Sequence, residues 1–150
     1  MFKTLRCLWA TALLPGLLAL PLPLSAQPAP ADDSLYQAWG RRDGIQAVMD
    51  DFFTRLQADP RTGPFFKDAG RKHLVKQLTD QLCQLAGGPC VYDGPTMAEA
   101  HHGQDIRKRD FNALVEVLQQ SMEAQGIAFG AQNRMLARLA PMHRDIVKPP

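Results

Sequence analysis

Leu85-Ala86-Gly87-Gly88-Pro89-Cys90-Val91-Tyr92-Asp93-Gly94-Pro95-Thr96-Met97-Ala98-Glu99-Ala100-His101-His102-Gly103 is the stretch on which the fold turns. Two glycines and a proline stop whatever helix precedes them, because glycine accepts the left-handed cap and proline cannot continue the ladder. A loop follows from Cys90 to Pro95. Thr96 and Glu99 then form a capping-box pattern, a hydroxyl at the cap and a carboxylate three residues on. The helix they open can last only about two turns before Gly103 and would be marginal alone. A bond to something inside the domain would order it, and His101 at its end is placed to make that bond. His102 is adjacent, so on a helix it points about 100° away, toward solvent.

Working outward, the periodicity is helical throughout, with no alternating strand pattern of any length. Upstream, a helix from about Arg71 to Ala86 carries Leu74, Leu78, Leu82 and Leu85 on one face. Gly63-Pro64-Phe65-Phe66 is a corner with two large aromatics. Before it, Asp43 caps a helix with the stripe Ile45, Val48, Met49, Phe52, Phe53 and Leu56, which Asp59-Pro60 ends. A short opening segment runs from Ser34 to Trp39. Downstream, Lys108 to Gln125 is a long helix with Phe111, Leu114, Val115, Leu118 and Met122 inward. A last helix spans about Ala131 to Val147 with Met135, Leu136, Leu139 and Ile146 inward, bent at Pro141. The prediction is one all-α domain over residues 34–147, with residues 148–150 as a tail.

The chain has 150 residues, enough for one domain with a real core and too few for two. Residues 1–26 hold two of the 17 basic side chains, Lys3 and Arg6, and no acidic one, so the rest of the chain carries 15 basic against 15 acidic residues. That balance argues against nucleic acid as a partner, which requires a basic face. Residues 1–26 read as a secretory signal peptide: two cations, an apolar run from Leu8 to Leu20, and Pro21-Leu22-Pro23-Leu24-Ser25-Ala26 before the cut. Pro15, Gly16, Pro21 and Pro23 interrupt the run, so no stable membrane span is expected once it is removed. An uncut leader would act as an anchor, and a cut after Ala31 is the alternative site. Residues 27–33 form a flexible Pro/Ala linker. The expected destination is a bacterial periplasm or the exterior. Removing Cys7 leaves Cys83 and Cys90, either a disulfide or two buried thiols, a choice that geometry decides.

The histidines, His73, His101, His102 and His143, lack zinc-ligand spacing, and no nucleophile elbow, phosphate loop or dinucleotide fingerprint occurs. One imidazole facing a pocket of aromatics and leucines suits a haem iron, which needs an axial nitrogen, a flat apolar slot and polar groups at the rim. Phe52, Phe53, Phe65, Phe66, Leu74 and Leu78 could supply the slot, and Arg71, Lys72 and His73 the rim. The same stripe is more often plain core.

The order of the motifs goes further. Ser34-Leu35-Tyr36, Asp43-Gly44-Ile45, Asp51-Phe52-Phe53, Ala58-Asp59-Pro60, Phe65-Phe66, Leu85-Ala86-Gly87-Gly88-Pro89, Tyr92-Asp93-Gly94, Met97-Ala98-Glu99-Ala100-His101 and Asp145-Ile146-Val147 follow one another in a single chain. Over roughly Ser34 to Val147 this closely resembles the group I truncated haemoglobins. The resemblance implies a two-over-two helical sandwich around one haem b, with His101 as the proximal iron ligand. It implies that Phe66 packs on the haem at the corner and that Tyr92 lies on a loop lining the pocket. The second ring nitrogen of His101 should then donate to a backbone carbonyl.

The distal side departs from the family pattern. Phe53 stands where the family often has Tyr, and Leu74 and Leu78 where it has a Gln-rich helix. Phe and Leu cannot donate to a bound gas, and Gln77 and Gln81 are the remaining candidates if either turns inward. The expectation is a five-coordinate ferrous haem in an apolar pocket formed by Phe53, Leu74 and Leu78, releasing O2 quickly and favouring NO or CO. Three function classes remain open. One is a gas-binding haem protein for oxygen binding or transport. Another is a periplasmic haem enzyme acting on NO or peroxide, dependent on an outside reductase or other electron donor. The third is a helical interaction module without a cofactor, which would be colourless.

Overall fold

A computed structural model describes residues 32–148. The expected export signal over 1–26, most of the expected linker over 27–33 and the last two residues of the tail lie outside the described residues. Within them the chain forms eight α-helices and one 3-10 turn: α1 Ser34–Ala38, α2 Arg41–Ala58, α3 Gly63–Phe66, α4 Arg71–Leu85, α5 Met97–Ala100, α6 Lys108–Ala124, α7 Phe129–Leu139, a 3-10 turn over Ala140–Met142, and α8 His143–Ile146. α2 packs across both α4 and α6, and α7 closes the other side against α1, α4 and α6. The two helix pairs, α2 with α4 and α6 with α7, enclose the core. No helix among the described residues is long and apolar enough to cross a membrane.

The core follows from the stripe on α2. Ile45, Val48, Met49, Phe52, Phe53 and Leu56 are all buried. They meet Val75, Leu82 and Cys83 of α4 and Val117, Leu118 and Met122 of α6. Trp39 is fully buried at the joint of α1 and α2, and its indole N–H donates to the carbonyl of Ala131 at 3.4 Å. α2 begins earlier than the sequence suggests. Gly40, in the left-handed conformation at φ 72°, is the N-cap, so Asp43 sits in the first turn, where a carboxylate still favours the positive end of the helix dipole.

Three further differences have local causes. α5 is a single turn and not two, because His101 already leaves helical geometry at its C-cap. α7 starts at Phe129, and Pro141 converts the expected bend into the 3-10 turn that separates α7 from α8. On α4 the leucines do not share one environment: Leu82 is buried in the core, while Leu74, Leu78 and Leu85 are half-buried and pack at its margin. Cys83 and Cys90 are joined as a disulfide, with Cα atoms 5.7 Å apart. Gly88 allows this corner to close, since a Cβ there would lie 2.6 Å from the Tyr36 ring and 2.8 Å from Cys83 Sγ.

Candidate haem site

Two capping hydrogen bonds build the segment that carries His101. The Thr96 backbone N–H donates to Glu99 Oε2 at 2.9 Å, and the Glu99 N–H donates to Thr96 Oγ1 at 3.3 Å. The Thr96 contacts hold the Glu99 carboxyl below the usual carboxylate range. The resulting turn brings the Met97 carbonyl within 2.7 Å of His101 Nδ1. Only a protonated Nδ1 can donate to that oxygen, so the neutral ring carries its lone pair on Nε2. His101 is half-buried and lines a cavity of about 760 Å³. His102 is exposed and does not line the cavity.

Across the cavity stands α4, which presents His73, Leu74, Gln77, Leu78, Gln81 and Leu82. α2 supplies Met49, Phe52 and Leu56, the corner supplies Phe65 and Phe66, and Tyr92 closes the loop side. Behind them lie Phe111, Leu114, Val115 and Leu118 of α6 and Leu136 and Leu139 of α7. Leu74, Leu78, Phe111, Leu114 and Val115 are only half-buried in the protein although they point inward. Large apolar side chains left half-buried around a cavity of this size describe a slot for an apolar ligand.

Phe53 corrects the sequence expectation. It is buried but does not line the cavity, and the Arg71 guanidinium lies over its ring, 5.3 Å from the centroid. Met49, Phe52 and Leu56 are spaced three and four apart and share the cavity face of α2. Phe53, one residue on, is rotated by about 100° toward α4. The rim expectation divides similarly. His73 reaches the cavity, whereas Arg71 and Lys72 line a separate groove of about 500 Å³ between α2 and α4. Arg71 is engaged there, donating to Asp50 O at 2.9 Å and Thr54 Oγ1 at 3.0 Å.

The α4 wall is not purely apolar. Gln77 and Gln81 both turn inward. The Gln77 Oε1 atom is buried with no hydrogen-bond partner among the described residues. Gln81 is 8% exposed, and its amide N–H₂ meets only thioether sulfurs, Met97 Sδ at 3.6 Å and Met142 Sδ at 3.9 Å. Thioethers are weak acceptors. Tyr92 has its hydroxyl engaged, donating to the Pro95 carbonyl at 2.7 Å, and burial is the first cause that pushes the phenol above its ordinary value. Met97 and Met142 were not anticipated from the sequence. Met97 had a visible signal, because it lies one turn before His101.

The donor set fits a haem: one imidazole with a fixed tautomer and a slot walled by half-buried leucines and aromatics, with the side chains of Gln77 and Gln81 among its lining. The comparisons with known proteins agree. The bacterial-like globin family matches residues 34–148. A group 1 truncated hemoglobin of Tetrahymena pyriformis is 30% identical over 114 residues, covering 76% of this chain and 94% of that protein. The GlbN group 1 truncated hemoglobin of Mycolicibacterium paratuberculosis is 26% identical over 121 residues, 81% of this chain and 86% of that one. The solved Fe(III) structure of the Tetrahymena pyriformis protein superposes with a TM-score of 0.73, covering 77% of this chain and 98% of that chain. The chain is therefore a globin with the two-over-two helical fold, and it belongs to the group 1 truncated haemoglobins.

Proposed function

We propose that the chain holds one haem b in the 760 Å³ cavity, with His101 Nε2 as the axial ligand, and that it binds a diatomic gas there. Haem binding and gas binding are the properties of the family to which the chain belongs; the cofactor type, its stoichiometry and the residue roles are the reading proposed for this chain. When bound, the haem supplies an iron whose sixth position accepts O2, NO or CO. The observation that carries the assignment is the 2.7 Å contact of His101 Nδ1 with the Met97 carbonyl, which leaves the lone pair of the neutral ring on Nε2 in a residue that lines the cavity. Phe52, Leu74 and Leu78 exclude water from the opposite wall. Gln77 gives that wall a polar group, which revises the all-apolar expectation, and it is the residue assigned to hydrogen-bond a polar gas. The donor would be its side-chain amide N–H₂, on a residue that lines the cavity. An enzymatic role toward NO or peroxide with an outside electron donor is not favoured.

The decisive test is spectroscopic. The chain, reconstituted with hemin, is expected to give a Soret band at equal stoichiometry, to lose it in His101→Ala and to keep it in His102→Ala. Retention of the band in His101→Ala would overturn the ligand assignment. Export to a periplasm is part of the same proposal, supported by the leader over 1–26 and by a closed Cys83–Cys90 bond, which suits an oxidising compartment. Cell fractionation with N-terminal sequencing of the product tests it.

A further inference from the structure

The segment from Gly87 to Asn112 carries His101, yet none of its residues is buried. α2 and α4 each bury six side chains and α6 buries five. Within the segment, the only side chain that packs on the apolar core is Cys90, and it does so through its bond to Cys83, which is fully buried there. Segments with few buried apolar contacts open at low free energy. The one covalent tie to the core therefore bears on where His101 stands.

From that tie the constraints run forward without a gap. Arg42 Nη1 donates to Cys90 Sγ at 3.5 Å and also pairs with the buried Asp80 of α4. The Tyr92 N–H donates to Gln84 Oε1 at 2.6 Å, and its hydroxyl reaches the Pro95 carbonyl. Thr96 follows and caps the turn that fixes the His101 ring. At the far end the Lys148 N–H donates to the Ile106 carbonyl at 2.9 Å.

We propose that Cys83–Cys90 is a positioning pair for His101, a brace that sets the separation between α4 and the loop leading to the axial histidine. The proposal rests on the reading of His101 as axial ligand. Two features separate it from a general staple and from a redox switch. The bond closes a seven-residue interval, and short loops constrain the unfolded chain least, so its effect is local. Attack by an outside thiol must come at half-buried Cys90 and would expel the Cys83 thiolate into apolar surroundings, where a thiolate is a poor leaving group. The bond is therefore constitutive.

The test uses the full chain with Cys90→Ser, which leaves the core side of the bond in place, and with Cys90→Ala as a second variant, each beside wild type. Amide exchange over residues 87–106 is expected to accelerate at least tenfold while α2 and α6 keep their protection. In the hemin-loaded chain, loss of hemin to an acceptor globin should be at least tenfold faster, and the iron–histidine stretching band should broaden. Equal acceleration in every helix would overturn the proposal in favour of a global staple. Unchanged exchange over 87–106 would overturn it outright, as would an unchanged stretching band in a loaded chain. If wild type takes up no hemin, the axial reading fails by itself, and the exchange comparison still decides whether the bond anchors the segment.

Discussion

Gly44, on the first turn of α2, shows how little space single positions leave. A Cβ there would lie 2.1 Å from the carbonyl oxygen of Trp39, whose side chain is fully buried. Backbone cannot step aside as a flexible side chain can, so Gly44→Ala is expected to cost about 3 kcal/mol, at the upper end of overpacking effects. Urea unfolding of the hemin-free chain measures this. Gly130→Ala is the control, since nothing among the described residues lies within 4 Å of its added Cβ, and it should be neutral or slightly stabilising. Gln77 poses the opposite case. An orphaned buried polar atom costs about 1–3 kcal/mol, so Gln77→Leu should raise the stability of the hemin-free chain. In the loaded chain the same change should speed O2 release about fivefold, the equivalent of one lost hydrogen bond of ~1 kcal/mol. Stopped-flow release without that acceleration would remove Gln77 from the ligand's surroundings. At this scale helical geometry anticipated that His102 faces solvent beside a cavity-lining His101, but Phe53 was misplaced. Adjacent residues on a helix differ only by rotation, and Phe52 and Phe53 are chemically identical, so only the packed register separates them.

Helices that face two environments explain what was and was not legible in the elements. The existence and order of α2, α4, α6 and α7 followed from apolar periodicity, and the boundary at Gly87-Gly88-Pro89 from turn chemistry. What periodicity left open is how each stripe divides between core and cavity. Leu74, Leu78 and Leu82 are spaced as one face of α4, but Leu82 is buried in the core whereas Leu74 and Leu78 are half-buried at the cavity. Periodicity reports that a face is apolar and does not report against what it packs. α5 shows the converse, an element recognisable from four residues because its cap is chemical and local. Its Thr96–Glu99 box holds a turn too short to persist alone. Thr96→Ala should cost ~1 kcal/mol, confined to this turn. Hemin loss is the sensitive readout and should quicken severalfold, while thermal unfolding of the hemin-free chain moves little. A large drop in that unfolding temperature would show that α5 is coupled to the core more tightly than its lack of buried residues implies.

Across the whole molecule, charge does what periodicity cannot reveal. Asp80 is 6% exposed on α4 and is held by Arg42 from α2 and by Lys76 one turn back, the latter at 2.9 Å. Arg42 and Asp80 are 38 residues apart, so no local pattern announces the pair. The Arg42 hydrogen bond first, and the Lys76 bond second, hold the Asp80 carboxyl below its ordinary value, while burial opposes them. Unfolded, Asp80 would titrate near the usual value of about 3.9. A carboxyl whose folded pKa is depressed contributes stability that is fully present above the unfolded value and is lost as pH falls through the folded one. Wild type should therefore exceed Asp80→Asn in stability at pH 7 and pH 5, and the gap should narrow below about pH 4, because a protonated Asp80 resembles the amide. Chemical denaturation of both chains at pH 7, 5 and 3, with the disulfide intact, measures the gap. A difference that stayed constant to pH 3 would mean that the Asp80→Asn change disturbs packing and not charge. A gap that widened on acidification would reverse the sign required by the Arg42 and Lys76 contacts and show that burial governs Asp80.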